Sequence, residues 1–466
     1  MRAAMGSLFL VIVCFCPGHC SPQEAAEEVP LQVGVASADI TPPLGMPMAG
    51  YYSTRLATGI HDRLHAKAIY IRGRGVEVLW VFCDLIGIDR QTVLEARKRI
   101  KERLGLPGQN VLIAATHTHT GPLYYGARPG SYSSARSDLS SMQRDYIEQL
   151  IEGIARSAQK AKASASPSTV SSASGSEGSL SFNRRFHMKS GEVRFNPGRG
   201  NPNILRPAGP IDPEVSVLCF RPVDDSNPSA VLVAFALHLD TVGGRKFSAD
   251  FPYFMGEVLR KEYGRNTLPI FGMGTSGDIN HIDVNNQNQL TGIKGTQLIG
   301  ERLASDVLGA IEKERRVEPA PVLVATKILR VPLQKHSPED VEESRQILQK
   351  GKGPFLDRVR AHKILSLKHI NADFLDLEIQ VFRVGDVALV ALPGEIFVEL
   401  GLFIKKHSPF AATIVVELAN DSIAYVPTRK GFSEGSYEVV NSLVAPGGGE
   451  LMAEAALGLL RRLNRE

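Results

Sequence analysis

The chain has 466 residues, 43% of them hydrophobic and 22% charged, with a formal net charge of +4. That length allows one large domain or two moderate ones with a substantial core, and the composition is that of a globular protein. Basic and acidic residues are interspersed along the whole chain, with no basic stripe or arginine-rich arm, which argues against nucleic acid as a partner.

At the N-terminus, Arg2 precedes the apolar stretch AAMGSLFLVIVCFC, which gives way to PGHCSPQEAAEE. Charge, apolar core and polar exit in that order predict a signal peptide over residues 1–22, and hence a secreted or periplasmic protein. Lipoprotein anchoring at Cys20 ranks second, because Pro17-Gly18-His19 lacks the aliphatic pattern expected before a lipidated cysteine. Cys14, Cys16 and Cys20 are expected to leave with the leader. Cys83 and Cys219 then remain, both inside apolar runs and expected to be inert core residues. No later segment is long and apolar enough to cross a membrane.

After the leader, LQVGVASADITPP predicts a strand and a proline-punctuated loop. AKAIYIRGRGVEVLWVFCDL reads as two strands joined by a tight turn at Gly73-Arg74-Gly75. Val93, Leu94, Ala96, Ile100 and Leu104 share a helical period, which predicts a helix from about Gln91. The run Val111–Ala115 reads as a strand covered on both faces. A Ser- and Gly-rich loop and a helix from about Ser141 to Ala161 follow, then strand and turn over 162–181. Ser337-Pro338 opens a helix with an N-cap and proline in the first turn, so 334–370 is expected to form a peripheral helical hairpin. GELMAEAALGLLRRLNR is a C-terminal helix. Strands mixed with helices throughout, without a convincing internal boundary, imply an α/β fold.

Four apolar runs end in potential ligands. The first ends in His117-Thr118-His119, the second in His238 with Asp240, the third in the turn Gly277-Asp278-Ile279-Asn280-His281, and the fourth in Pro393-Gly394-Glu395. Strand ends are where α/β proteins build sites. Alternation along a strand puts His117 and His119 on one side, and places Asp240 on the side of His238. Two histidines and a glutamate from separate strands are donors that zinc accepts while keeping a position open. Each residue also has a bland reading alone: His238 as a core histidine, Glu395 at a helix N-terminus, Asp278 and Asp240 in turns.

The stretches GVASADITPP, GIHDRLHAKA, NVLIAATHTHTGP, FNRRF, GPIDPEVSVLCF and LPGE, in this order, resemble the neutral/alkaline non-lysosomal ceramidase family. The resemblance covers nearly all of residues 30–466 and implies a single catalytic domain of layered mixed β-sheets flanked by helices, with its metal site at strand ends. It places zinc ligands on His117, His238, Glu395 and Tyr437, with His119 as a second histidine lining the site. Three departures accompany it. The family's serine falls on Asn280 and the proline after it on His281. The segment after His238 carries Asp240 in place of small hydroxyl residues. The family's C-terminal immunoglobulin-like domain is expected to be missing.

The residues and the resemblance together lead to an exported, zinc-dependent hydrolase that cleaves the amide of an N-acyl compound, ceramide-like, with a metal-activated water. Its expected partners are a small-molecule or lipid substrate, with peripheral membrane contact. His119 and Asp240 are the candidate bases, His281 the acid for the leaving amine, and Tyr437 a ligand or oxyanion donor; Asn280 cannot be a nucleophile. A sugar-linked or other non-lipid amide or ester is the alternative substrate, and a non-catalytic, metal-stabilised binding protein the alternative class.

Overall fold

The computed structural model describes residues 31–125, 139–318 and 321–466. The predicted leader, with Cys20, and the Ser- and Gly-rich loop after Tyr125 lie outside the described residues. Two β-sheets form the centre of the molecule. The long strands of the first, nine-stranded sheet are β1 (Leu31–Asp39), β2 (His65–Gly73), β3 (Val76–Cys83), β4 (Val111–Ala115), β5 (Ser166–Ser176), β6 (Glu214–Pro222), β7 (Ala230–Phe235) and β8 (Leu268–Met273). They lie in the order β8-β7-β6-β5-β1-β2-β3-β4, and Arg315–Arg316 pairs with β5. β3 is parallel to β4 and β7 to β8, whereas the other neighbours are antiparallel. The second sheet has four strands, β9 (Val322–Pro332), β10 (Phe374–Val384), β11 (Val387–Ala391) and β12 (Ala412–Val416), of which β11 and β12 are parallel.

Local sequence accounts for these elements. Arg74 and Gly75 both have positive φ (45° and 85°), as a two-residue turn between strongly twisted strands requires. Helix α1 (Arg90–Leu104) starts where the Asp89 carboxylate accepts from the Thr92 amide, and stops at Gly105 in the left-handed region. Helix α2 (Ser141–Ala163) opens with a Ser140/Gln143 capping box. Helices α3 (Phe251–Tyr263), α4 (Gly292–Ile311), α5 (Pro338–Lys350), α6 (Phe355–Ile370), α7 (Val398–His407) and α8 (Gly448–Arg465) complete the longer elements.

These elements stack in layers. Ile100 of α1 and Ile147 and Ile151 of α2 pack on Leu79 and Ile113 of the first sheet. Met255 of α3 and Leu303 of α4 pack on Val233 and Phe271 at its other end. The opposite face meets the second sheet, where Trp80 sits edge-on to Phe220 and Phe382. Ile404 of α7 and Leu460 of α8 cover the outer face of that second sheet. The architecture is therefore helix, sheet, sheet, helix, the α/β arrangement of layered mixed sheets that the strand and helix pattern implied. Cys83 and Cys219 are buried and free, as expected. Among the described residues, no helix is long and apolar enough to cross a membrane.

Two features position the site. The chain leaving β12 passes between β4 and β8, the two ends of the first sheet. Glu417 N donates to Met273 O at 2.9 Å, Ala115 N to Leu418 O at 3.1 Å and Asn420 N to Ile113 O at 2.8 Å. Leu418 and Asn420 take positive φ (52° and 64°) to make those bonds. The second feature corrects the expectation of a peripheral hairpin over 334–370. Helix α6 packs against the short helix Tyr437–Val440, and Phe355, Val359 and His362 on it line the main cavity.

Candidate metal centre

The ends of the parallel pairs β3/β4, β7/β8 and β11/β12 point to one place. β4 stops at Ala115, and His117 takes a left-handed φ of 74°. Strand alternation therefore does not orient the two histidines. A turn does, held by His117 N donating to Leu85 O (2.7 Å) and His119 N to Leu239 O (2.9 Å). A non-glycine residue at that φ is strained, a cost that recurs at functional sites. Gly50, at φ 102°, lies against His119, where a Cβ would come within 2.8 Å of the histidine's own. Glu395 follows Gly394 (φ 99°) and opens a two-residue strand parallel to Tyr425–Val426.

Four donor atoms converge. His117 Nε2 lies 2.9 Å from His238 Nε2 and 3.3 Å from His119 Nε2. Glu395 Oε2 lies 3.4 Å from His117 Nε2 and 3.5 Å from His238 Nε2. His117 Nδ1 is 2.6 Å from the Ile86 carbonyl and His238 Nδ1 is 3.2 Å from the Ser276 carbonyl. A carbonyl only accepts, so both Nδ1 atoms carry the proton and each Nε2 offers a lone pair inward. Burial, aided by His117, pushes His119 and His238 well below the usual histidine range, so both rings are neutral. Burial opposes the Glu395 carboxylate, but His117 and Arg184 outweigh it and its pKa is lowered. Its Oε2 is buried and has no hydrogen-bond donor.

This donor set fits a divalent cation. Facing lone pairs 2.9 Å apart repel unless a proton or a cation lies between them. Around a tetrahedral zinc with bonds of ~2.0–2.1 Å, ligand atoms stand about 3.3 Å apart, close to the separations here. His117, His119 and His238 form the buried group whose ligand atoms lie within 4.8 Å of one another. The sequence had assigned His119 to proton handling; the structure puts its Nε2 within the cluster.

The other expected residues surround it. Asp240 does not anchor its turn, since Asp250 accepts from the Thr241 and Val242 amides (3.0 and 3.2 Å). Instead Asp240 Oδ1 accepts from the Tyr51 hydroxyl and stands 3.7 Å from His119 Nδ1, an atom without a hydrogen-bond partner. Asn280 is held as an amide: its Nδ2 donates to Asn196 Oδ1 (2.9 Å) and its Oδ1 accepts from the Ile282 amide (3.0 Å). His281 lines the same cavity with its Nδ1 buried and unpartnered. Tyr437 lies beside the cluster with its oxygen accepting from Asn441 Nδ2 at 3.2 Å, and burial with Glu395 nearby pushes its pKa up to about 12. Asp278 is a clamp, accepting from the Val398 amide (2.9 Å) and Asn183 Nδ2 (2.8 Å).

Sequence reasoning missed three contributors. Arg184 donates to Glu438 (2.9 Å) and to Gly277 O (2.8 Å), and its Nη1 lies 3.3 Å from His238 Nε2. It lies in the FNRRF stretch, where nothing local separates it from Arg185, which binds Glu434 and Glu438. Glu417 ends the apolar run ATIVV, the same design as the four strand ends singled out, and was legible by that rule. It accepts from the Ser276 hydroxyl (2.7 Å) and the Ile396 amide (2.6 Å), and so ties the strand ends of both sheets together. Lys363 of α6 is buried, which pulls its ammonium down to about 8 against the pull of Glu395.

Two compartments meet at the cluster and share Gly50, Tyr51, Tyr52, His119, Tyr425 and Tyr437. The larger, about 540 Å³, has Asn280 and His281 in one wall and α6 in another. The smaller, about 150 Å³, lies on the Glu395 side with Tyr125, Lys363, Ser422 and Asn441.

Known proteins share this arrangement of sequence and fold. Residues 31–245 match the family model described as neutral/alkaline non-lysosomal ceramidase, N-terminal. The neutral ceramidase of Pseudomonas aeruginosa is 24% identical to 90% of this chain, and the match spans 70% of that protein. Neutral ceramidase 2 of Arabidopsis thaliana is 37% identical over 19% of this chain and 12% of its own length. The crystal structure of the Pseudomonas aeruginosa neutral ceramidase has the same fold, with a TM-score of 0.74 at 21% identity over 94% of this chain and 75% of that one. A structure of a ceramidase complexed with C2 gives 0.74 at 20% identity, over 94% of this chain and 76% of that one. Residues 31–245 are thus similar to the family's N-terminal domain, and the chain shares the fold of these ceramidases.

Proposed function

We propose that the protein is a zinc-dependent hydrolase of the amide bond in an N-acyl compound, of ceramidase type, and that residues 1–22 direct its export. The observation that carries this reading is the convergence of three imidazole Nε2 atoms with Glu395 Oε2, two of the rings locked by Nδ1–H bonds to carbonyl oxygens. His117, His238 and Glu395 hold the cation; His119 Nε2 lies within the same cluster, and Tyr437 lines the cavity beside it. A bound divalent cation supplies a Lewis acid for the scissile carbonyl and lowers the pKa of water beside it.

The chain's own residues do the rest. Asp240 orients His119 through Nδ1 and is itself held by the Tyr51 hydroxyl. Arg184, fixed by Glu438, brings positive charge to where negative charge develops on the acyl oxygen. His281, in the wall of the larger compartment, hands a proton to the departing amine. Asn280 has both ends of its amide engaged, so water rather than a side chain is the nucleophile.

Metal analysis and assay test the proposal together. The purified protein is expected to carry about one zinc per chain and to lose amide hydrolysis on chelation, with activity returning on zinc addition. His117→Ala and Glu395→Ala are expected to lose most of the metal and keep the fold, because the core does not depend on the site. Full zinc content in both variants would overturn the assignment. N-terminal sequencing of the mature protein decides export, since an intact Met1 is incompatible with a cleaved leader.

A further inference from the structure

The two compartments have a chemistry that bears on which amide they take. Among the described residues, Ile282 and Val359 are the aliphatic side chains that line the larger one. The rest of its wall is aromatic, amide, imidazole or charged, with Gly50 and Ser53. A long alkyl chain gains its affinity from aliphatic contact, at about 0.8 kcal/mol per buried methylene, and this lining offers little. The smaller compartment holds about 150 Å³. A protein cavity of about 150 Å³ takes one benzene-sized group, far short of a fatty chain.

Each wall also includes a polar side chain with a buried, unpartnered atom: His281 with its Nδ1 in the larger, Asn441 with its Oδ1 in the smaller. At the roof of the larger compartment, the Phe355 ring of α6 stands edge-on to Tyr52 (centroids 5.4 Å apart) and parallel to Tyr437 (6.1 Å, 16° between planes). Phe355 is 44% exposed, so part of its surface is open to a ligand. Aromatic faces ringed by hydrogen-bonding groups match a ring that carries hydroxyls.

We propose that this site takes a compact, polar amide, an N-acylated amino sugar with a short acyl group, and that Phe355 of α6 is its specificity determinant. The inference rests on the reading above and names the substrate of that same site. Water adds to the acyl carbon, the C–N bond breaks, and the leaving nitrogen takes a proton, so one amide and one water give one carboxylic acid and one amine. The acyl group occupies the smaller compartment and the sugar the larger, beneath Phe355.

The test uses the full zinc-loaded chain with N-acetylglucosamine and N-palmitoylsphingosine in detergent. The expected kcat/KM for the sugar amide is about a hundredfold or more above that for the lipid, the range open to a well-matched polar site. Phe355→Ala is expected to raise KM for the sugar amide about tenfold, with kcat within about twofold and zinc content unchanged, as for a contact made equally in ground and transition states. Equal or faster turnover of the lipid, or an unchanged KM in Phe355→Ala, overturns the proposal. Calorimetric titration with N-acetylglucosamine keeps it separate from the parent reading. If no amide is hydrolysed, tight binding that weakens about tenfold in Phe355→Ala still supports this assignment, and absence of binding overturns it.

Discussion

A residue's surroundings at this site decide what it can do more than its type does. Five histidines line one cavity system, and the surroundings of His117, His119, His238 and His281 sort those four. His117 and His238 each have Nδ1 bound to a carbonyl, which commits Nε2 to an electrophile. His119 has an unpartnered Nδ1 near a carboxylate, and His281, in the cavity wall, has a buried, unpartnered Nδ1. The 3.7 Å gap between His119 and Asp240 is too long for a hydrogen bond as it stands. Closing it is the expected consequence of metal loading, and the Tyr51 hydroxyl already holds the carboxylate in position. Asp240→Asn is therefore expected to keep its metal and its thermal stability and to lose at least about tenfold in kcat, the typical cost of removing a carboxylate that orients an imidazole at a metal site. Tyr51→Phe should shift kcat the same way by less. Unchanged turnover in Asp240→Asn would reduce that residue to part of the cavity wall.

The elements show what a sequence can and cannot reveal about such a site. Short-range physics was legible: the Arg74-Gly75 turn, the Ser337-Pro338 helix start and the burial of Val111–Ala115 follow from neighbours a few residues apart. The strand-end rule also located His117, His238 and Glu395. It misread how His117 and His119 come together, because the backbone there leaves the strand at Ala115 for a positive φ that no local pattern announces. It also missed Arg184, whose partners Gly277 and Glu438 lie far along the chain. The 334–370 hairpin looks peripheral for the same reason: its charged face is visible in sequence, whereas the docking of α6 over a cavity is not. The loop between β7 and α3 supplies another long-range dependency. Asp250, at φ 63°, accepts from the Thr241 and Val242 amides and caps α3 through the Phe251 amide (2.7 Å). Asp250→Asn turns one accepting oxygen into a donor that faces donors. It is expected to lower the unfolding free energy by about 1–3 kcal/mol, seen as an earlier thermal transition. A melt superimposable on wild type would show that the loop is held by other means.

At the scale of the whole molecule, the site lies on a seam. His117 and His238 come from the first sheet and Glu395 from the second, so the geometry of the donors depends on how the sheets are packed. Trp80 is at the middle of that packing, 1% exposed, against Phe220 and Phe382. Trp80→Ala is expected to cost about 3–5 kcal/mol, the range for removing a large buried aromatic. Because the loss falls between the sheets and not at their ends, the folded fraction should retain its metal stoichiometry. Destabilisation without loss of metal per folded chain distinguishes the two roles; metal lost in proportion to packing would show that they are one.

The crossing of residues 417–420 between β4 and β8 has a further consequence, for how this protein fails. A strand at the end of a sheet is a template on which another chain can pair, and proteins generally blunt such ends with charge, proline or a bulge. Here β4 (VLIAA) and β8 (LPIFGM) are almost wholly apolar and carry none of these devices along their length apart from Pro269. A single four-residue segment satisfies backbone groups on both. Any excursion that frees it uncovers two sticky edges at once, so an opening of the fold at this segment is also a path to aggregation.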